Sequence, residues 1–256
     1  MAVVCTNRLS LIVKIIERNN KIFKMSSLSG KSINVNLGDM RIKYKDKSET
    51  FTEDQLDCKE PIGQFKAWFE VASKTPGILE ANAMCLGTAT KPVLLKGFSD
   101  KGFKFYTNYE SRKGRELAEN PVAALTFFWE PLRRTVRIEG DVEKTSDEDS
   151  DEYFTSRPLA SQIGAHASKQ SAVIAGRESL MIKEREFLAQ FSDGKVPRPP
   201  CWGGFIVIPK TVEFWQGQSD RLHDRIRFRH PGPNEKIDNI VVHQGEKGWV
   251  YDRLSP

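Results

Sequence analysis

The spacing of apolar positions changes period along the chain, and those changes mark out its elements. From Glu60 onward Ile62, Phe65, Phe69 and Ala72 recur at three- and four-residue intervals, one face of a helix, and Thr75-Pro76-Gly77 supplies its stop. The period then shortens. Residues 83–88, 93–98, 103–109, 122–129 and 135–142 read as strands, with Ser99-Asp100-Lys101-Gly102 and Glu130-Pro131-Leu132 as turns between them. Five strands this closely spaced predict an antiparallel barrel or sandwich, so the fold class is mainly β with flanking helices. One helix interrupts the strands, from an N-cap at Ser111 to a stop at Asn120-Pro121. Another starts at Ser146, where Asp147, Glu148 and Asp149 suit the helix dipole, and runs to Arg157-Pro158, with a helical pattern resuming after Ser161. A third covers residues 177–191 with Leu180, Phe187, Leu188 and Phe191 as its expected core stripe. Pro197-Arg198-Pro199-Pro200 breaks the chain before a return to strand at Gly203, and a last strand over residues 248–254 predicts a docked terminus.

Composition narrows the picture. In 256 residues with 39% hydrophobic and 29% charged side chains there is enough apolar surface for a full core. No apolar run approaches the roughly 20 residues that span a bilayer, so no membrane partner is expected. The formal charge of +5 suits an anionic ligand, either a phosphorylated small molecule or a nucleic acid. The cations are dispersed among acidic residues rather than gathered into a basic stripe with aromatics, which ranks nucleic acid last. Cys5, Cys58, Cys85 and Cys201 show no Cys-x-x-Cys spacing, so neither a metal site nor a disulfide framework is expected, and the thiols suit an intracellular compartment. Residues 1–38 stand apart, with Arg8, Lys14, Arg18, Lys21, Lys24 and Lys31 against Glu17 alone. That composition reads as a flexible arm or a targeting segment, giving a cytoplasmic or, alternatively, mitochondrial location for the domain over residues 39–256.

Three places concentrate chemistry. Arg112 and Lys113 open a helix, where cations oppose the dipole; an anion held there by free N–H groups and both side chains relieves the misfit, while exposed cations in a first turn are the plainer alternative. Tyr153, Arg157 and Ser161 are spaced four apart and share a face if helical geometry carries past Pro158, a set that suits a phosphate monoester and equally an ordinary polar surface. The stretch from Glu213 to Arg225 holds Trp215, Arg221, His223 and Arg225, with guanidinium forks that grip phosphates and carboxylates. Its bland alternative is an edge strand whose charges face water.

Taken together, the motifs resemble one family. Ala81-Asn82-Ala83-Met84-Cys85-Leu86, Val93-Leu94-Leu95-Lys96-Gly97-Phe98, Phe105-Tyr106-Thr107-Asn108-Tyr109-Glu110-Ser111-Arg112-Lys113-Gly114, Phe128-Trp129-Glu130-Pro131-Leu132, Ser156-Arg157-Pro158-Leu159-Ala160-Ser161-Gln162, Glu213-Phe214-Trp215-Gln216-Gly217-Gln218 and Arg221-Leu222-His223-Asp224-Arg225 look like pyridoxine (pyridoxamine) 5′-phosphate oxidase, in order from about Asp39 to Pro256. The resemblance implies an FMN-binding split β-barrel homodimer with the flavin at the subunit interface. It implies oxidation of pyridoxamine or pyridoxine 5′-phosphate to pyridoxal 5′-phosphate, with molecular oxygen reduced to hydrogen peroxide. Carried over by motif, Lys91, Arg112 and Lys113 would hold the FMN phosphate, and Val93, Leu94, Tyr106, Thr107, Thr135, Gln170, Ser171, Trp215 and Arg225 would line the rest of the flavin site. Lys96, Tyr153, Arg157 and Ser161 would bind the substrate phosphate. Arg221, Leu222 and His223 would cover the pyridine ring, with Arg221 and His223 as the catalytic pair.

Two departures bear on function. Family members usually have a longer first hairpin with an Asp-Gly turn, and an Arg where Lys91 stands; Lys keeps a charge but not the bidentate fork. Thr135 stands where the family usually has a Gln that reaches the flavin ring, and Thr is too short to replace it. Weakened FMN binding is therefore expected, and the rival reading is a flavin-poor paralogue that binds pyridoxal 5′-phosphate without turnover.

Overall fold

The structure is a computed structural model that describes residues 43–45, 49–88 and 91–256. The arm expected over residues 1–38 lies outside them. Lys43–Pro256 forms one compact unit. Ten strands among the described residues share one antiparallel sheet: β1 Ala83–Leu86, β2 Lys91–Leu94, β3 Gly97–Ser99, β4 Gly102–Asn108, β5 Val122–Trp129, β6 Arg134–Lys144, β7 Trp202–Gln216, β8 Asp224–Arg229, β9 Val242–Gln244 and β10 Val250–Arg253. The order is β2-β1-β5-β6-β7-β8-β10-β9, with β3 and β4 branching from β7. β5 matches its expected bounds because strict alternation, with Ala123, Leu125, Phe127 and Trp129 buried, fixes which face is inward.

β7 organises the sheet. On one side it pairs with β6 over most of its length; on the other it pairs with β4 through Val207 and then with β8 from Thr211. The sheet therefore divides around residues 208–210 and does not close into a ring among the described residues. This corrects the edge-strand alternative for residues 213–216, which lie between two hydrogen-bonded neighbours.

Five α-helices flank the sheet: α1 Pro61–Lys74, α2 Arg112–Glu119, α3 Asp147–Ser156, α4 Leu159–Ala167 and α5 Arg177–Gln190. α1 starts where Glu60 accepts from the amides of Ile62 and Gly63, and it lays Phe65 and Trp68 onto the sheet. The Phe65 ring is fully buried, 4.9 Å from Phe103 and 5.1 Å from Phe127, a side chain whose burial contributes about 1.5–3 kcal/mol. A smaller cluster of Phe154, Ile163, Val196 and Trp202 joins α3, α4 and the start of β7. α5 departs from expectation. None of its residues is buried; Phe187 packs partly on the smaller cluster, as does Phe191 just beyond the helix, but Leu188 is exposed. No helix among the described residues is long and apolar enough to cross a membrane.

Candidate phosphate-binding cleft

The cleft begins at the end of β4. Ser111 caps α2 by accepting from the Gly114 amide at 3.3 Å, and a side chain at Gly114 would put its Cβ 2.2 Å from the Tyr109 carbonyl oxygen, so only glycine lets the helix start this close to the strand. That contact turns Lys113 inward. It is 3% exposed and donates to the Thr107 hydroxyl at 2.8 Å, which in turn donates to Gln170 Oε1 at 3.1 Å. Gln170 Oε1 also accepts from the Asn108 amide, tying the segment after α4 to β4. Arg112 takes another course: its side chain is 70% exposed and its Nε donates to Glu116 at 2.8 Å, relieving from within the chain part of the misfit that suggested an anion.

Across the cleft, the helix expected to end at Arg157-Pro158 does end there, and the second one starts at Leu159, slightly before the pattern expected after Ser161. Arg157 sits between α3 and α4 with extended backbone, and Gln162 Nε2 donates to the carbonyls of Thr155 and Arg157, satisfying the broken ends. The break does not separate the residues that helical spacing brought together. Tyr153, Arg157 and Ser161 still line one cleft of about 640 Å³, with Lys96, Val93, Leu94, Tyr106, Thr107, Lys113, Gln170 and Trp202.

The Arg157 guanidinium lies over Trp202 at 4.7 Å and Phe154 at 5.6 Å, and its buried Nη1 has no hydrogen-bond partner. Burial depresses its pKa, working against the charge, with only the nearby Tyr153 phenol opposing. Lys96 Nζ lies 6.0 Å from the Tyr153 ring centre. Neither Arg157 nor Lys96 forms an ion pair with a described carboxylate. Tyr153 stacks on Tyr106 at 4.0 Å, and Tyr106 on Trp202 at 5.6 Å. Burial and the hydrogen bond to Asp149 raise the Tyr106 pKa, so the phenol stays protonated and donates. Burial alone would raise the Asp149 pKa, but hydrogen bonds from Lys104 and Tyr106 outweigh it and hold the carboxyl below its usual range.

An orphaned buried guanidinium nitrogen, a buried lysine at a helix start and the apolar wall of Val93 and Leu94 fit a flat ligand that carries phosphate, the chemistry FMN requires. Ser171 adjoins the cleft through Gln170 but is itself exposed, with φ of 72°. The Lys91 side chain lies outside the described residues.

The remaining candidates gather on β6, β7 and β8. Trp215 pairs in register with Thr135 on one side and Arg225 on the other. Arg225 is already engaged: Nε and Nη2 bind Glu213 at 2.8 and 3.2 Å, and Nη1 donates to the Ser255 carbonyl at 2.7 Å. Glu213, 5% exposed, also accepts from Arg137 at 2.8 Å. The β7–β8 turn carries Arg221, exposed at φ of 71°, and Leu222, 67% exposed. His223 follows, its ring 4.9 Å from Trp215 and 6.2 Å from Tyr44. Gly217 permits that packing, because a Cβ there would lie 2.7 Å from the Trp215 ring and 2.8 Å from Tyr44. Asp224 anchors the turn, accepting from the Phe51 amide at 2.9 Å, Gln218 Nε2 at 2.7 Å and Arg253 Nη1 at 3.0 Å.

Sequence reasoning did not single out Trp202, Asp149, Glu213 or Gln218. Trp202 follows the Pro-rich break, which marks a fixed entry into β7; Asp149 and Glu213 act through partners distant in sequence, and Gln218 through a turn that brings it back onto His223 and Asp224.

Residues 75–190 match a family profile described as pyridoxamine 5′-phosphate oxidase, and residues 202–256 match one described as the pyridoxine 5′-phosphate oxidase C-terminal dimerisation region. A pyridoxine/pyridoxamine 5′-phosphate oxidase of Bombyx mori is 52% identical over 235 residues, covering 88% of this chain and 91% of its own length. A pyridoxine-5′-phosphate oxidase of Bos taurus is 50% identical over 230 residues, covering 87% and 88%. Among solved structures, PhzG from Burkholderia lata, in complex with tetrahydrophenazine-1-carboxylic acid, aligns with a TM-score of 0.68 at 28% identity, covering 80% of this chain and 97% of its own.

Proposed function

The chain belongs to the pyridoxine/pyridoxamine 5′-phosphate oxidase family, and from that premise we propose that the cleft between β2, β4, α2 and α4 is where it holds substrate and cofactor phosphates. The protein is an FMN-dependent oxidase, a homodimer that converts pyridoxamine 5′-phosphate and pyridoxine 5′-phosphate to pyridoxal 5′-phosphate. FMN, when bound, supplies the two-electron acceptor, and molecular oxygen carries the electrons away as hydrogen peroxide.

The protein's part is placement. Lys113 and the α2 amides, joined by Arg112 if it leaves Glu116, hold the cofactor phosphate, and Val93, Leu94, Tyr106, Thr107, Gln170 and Ser171 shape that side of its bed. Lys96, Tyr153, Arg157 and Ser161 bind the substrate phosphate. The observation that carries this reading is Arg157: a buried guanidinium nitrogen without a partner, in a nest with a lysine, a phenol and a hydroxyl, suits a dianionic oxygen cluster. Thr135, Trp215, Arg221 and Arg225 do not line the same chain's cleft. A homodimer with the flavin at its interface gives them their role, as the wall that a neighbouring copy brings, with Arg221, Leu222 and His223 over the substrate ring.

Anaerobic addition of pyridoxamine 5′-phosphate to the FMN-loaded protein tests the assignment. Bleaching of the flavin absorbance is expected in the wild type, and with Arg157→Met only at much higher substrate concentration. Equal bleaching at equal concentration would refute the placement of the substrate phosphate. Binding of pyridoxal 5′-phosphate without bleaching would favour a non-catalytic binding protein.

A further inference from the structure

The turn between β7 and β8 folds back so that the Gln218 backbone N–H meets the His223 ring, with 3.0 Å between N and Nδ1. A backbone amide has a proton to give and no acceptor to offer, so Nδ1 must present its lone pair. In the neutral ring the proton then sits on Nε2. Neither an imidazolium nor the Nδ1-protonated tautomer keeps this bond, and turning the ring over would place a carbon against a buried amide. Resting on the oxidase reading above, we propose that His223 serves the substrate ring as a neutral Nε2–H donor, its tautomer set by the Gln218 main chain, and takes no proton from the substrate.

The amide that sets the tautomer is itself held firmly. Gln218 is 3% exposed, its side chain donates to Asp224 at 2.7 Å and to the Glu49 carbonyl at 3.2 Å, and its own carbonyl accepts from the Arg221 amide. The next residue, Ser219, donates to the Lys45 carbonyl at 3.1 Å. The ring therefore meets a fixed donor rather than choosing its partner. Its surroundings favour the uncharged form: burial and then Arg221 lower its pKa, while Asp220 and Asp224 oppose more weakly. From the other elements Trp215 and Tyr44 face the ring, and Arg133 lies over Tyr44. Asp224 spends its oxygens on Phe51, Gln218 and Arg253. With Nδ1 engaged and Nε2 protonated, no lone pair remains to act as a base. The group His223 recognises must be an acceptor, such as the phenolate oxygen of a pyridoxine ring.

The test is long-range proton–nitrogen correlation on the FMN-loaded homodimer labelled with ¹⁵N-histidine. The sequence has four histidines, and His223 is assigned by the signals missing from H223Q. A pyridine-type Nδ1 and a pyrrole-type Nε2 at neutral pH are expected; a protonated Nδ1, alone or with Nε2, overturns the proposal. A second arm titrates pyridoxal 5′-phosphate into H223Q and H223N. The Gln amide reaches the place of Nε2 and should keep affinity within about threefold, whereas the Asn amide reaches only that of Nδ1 and should lose about three- to tenfold. The reverse order overturns the proposal. Wild-type protein that binds no pyridoxal 5′-phosphate would sink the oxidase reading instead, and the nitrogen shifts would still decide the tautomer.

Discussion

Arginines occupy two regions of this molecule in opposite circumstances. On the face of β6, β7, β8 and β10, Arg137 and Arg225 close on Glu213, while Arg227 and Arg229 close on Asp252, and Arg229 also reaches Glu235. In the cleft, Arg157 has aromatic faces around it and no carboxylate. The first group is satisfied by the fold and stabilises it. The second is left at a cost to the fold, and its charge stays available for a ligand. Pairing separates Arg157, which a ligand must satisfy, from Arg225, whose guanidinium the fold already fixes in the wall proposed for the flavin.

The widest gap between the two regions should appear on removing one member of each. Glu213→Ala takes the shared carboxylate from Arg225 and Arg137, of which Arg137 keeps Glu139, and should cost about 1.5–3 kcal/mol of stability, read by urea unfolding; an unchanged midpoint would end the scaffold reading. Arg157→Met should do the opposite, leaving the ligand-free melting temperature equal or higher while weakening pyridoxal 5′-phosphate by about ten- to a hundredfold, the worth of a charge-assisted hydrogen bond. Next comes the cofactor side. Restoring a fork with Lys91→Arg should tighten FMN by roughly tenfold in a fluorescence titration, and no change would place the weakness elsewhere, with Thr135 the next candidate.

The smallest effect concerns Asp149, on the cleft wall. Its folded pKa is depressed, so it stabilises the protein above its unfolded value, near 3.9, and that contribution is lost as pH falls through the folded value. Asp149→Asn should therefore be less stable than wild type at pH 7, by under about 1 kcal/mol given its partial exposure, and the two should converge on acidification. A gap that widens in acid would reverse the sign of the argument.

How much of this was legible in the sequence depended on the range of the interaction. The period-two run of β5 and the caps at Ser111 and Ser146 are local, and the structure keeps them. The α5 stripe held only in part, because spacing shows which residues share a face and not how much of it is covered; Phe187 and Phe191 pack on the smaller cluster while Leu188 stays 44% exposed. At the site, Tyr153, Arg157 and Ser161 gather as their spacing suggested, and Lys96, which only the family resemblance assigned, lines the same cleft. The engagement of Arg225 by Glu213 and of His223 by Gln218 was not readable, because each depends on a rotamer or a turn that neighbouring letters do not specify, whereas the Arg112–Glu116 pair has the four-residue spacing of neighbours on a helix. The Arg157–Pro158 break was legible but its outcome was not: the kink that ends α3 still presents all three side chains to one space.

Asp224 joins three stretches that are remote in the chain, at Phe51, Gln218 and Arg253. Loosening any one releases a donor that the other two cannot replace, so these stretches should open to solvent as a single unit. Deuterium uptake at the Phe51 amide would then report the order of the ring-covering turn, although Phe51 itself contacts neither phosphate nest. A variant that quickens exchange there would be expected to slacken the grip on the substrate ring as well.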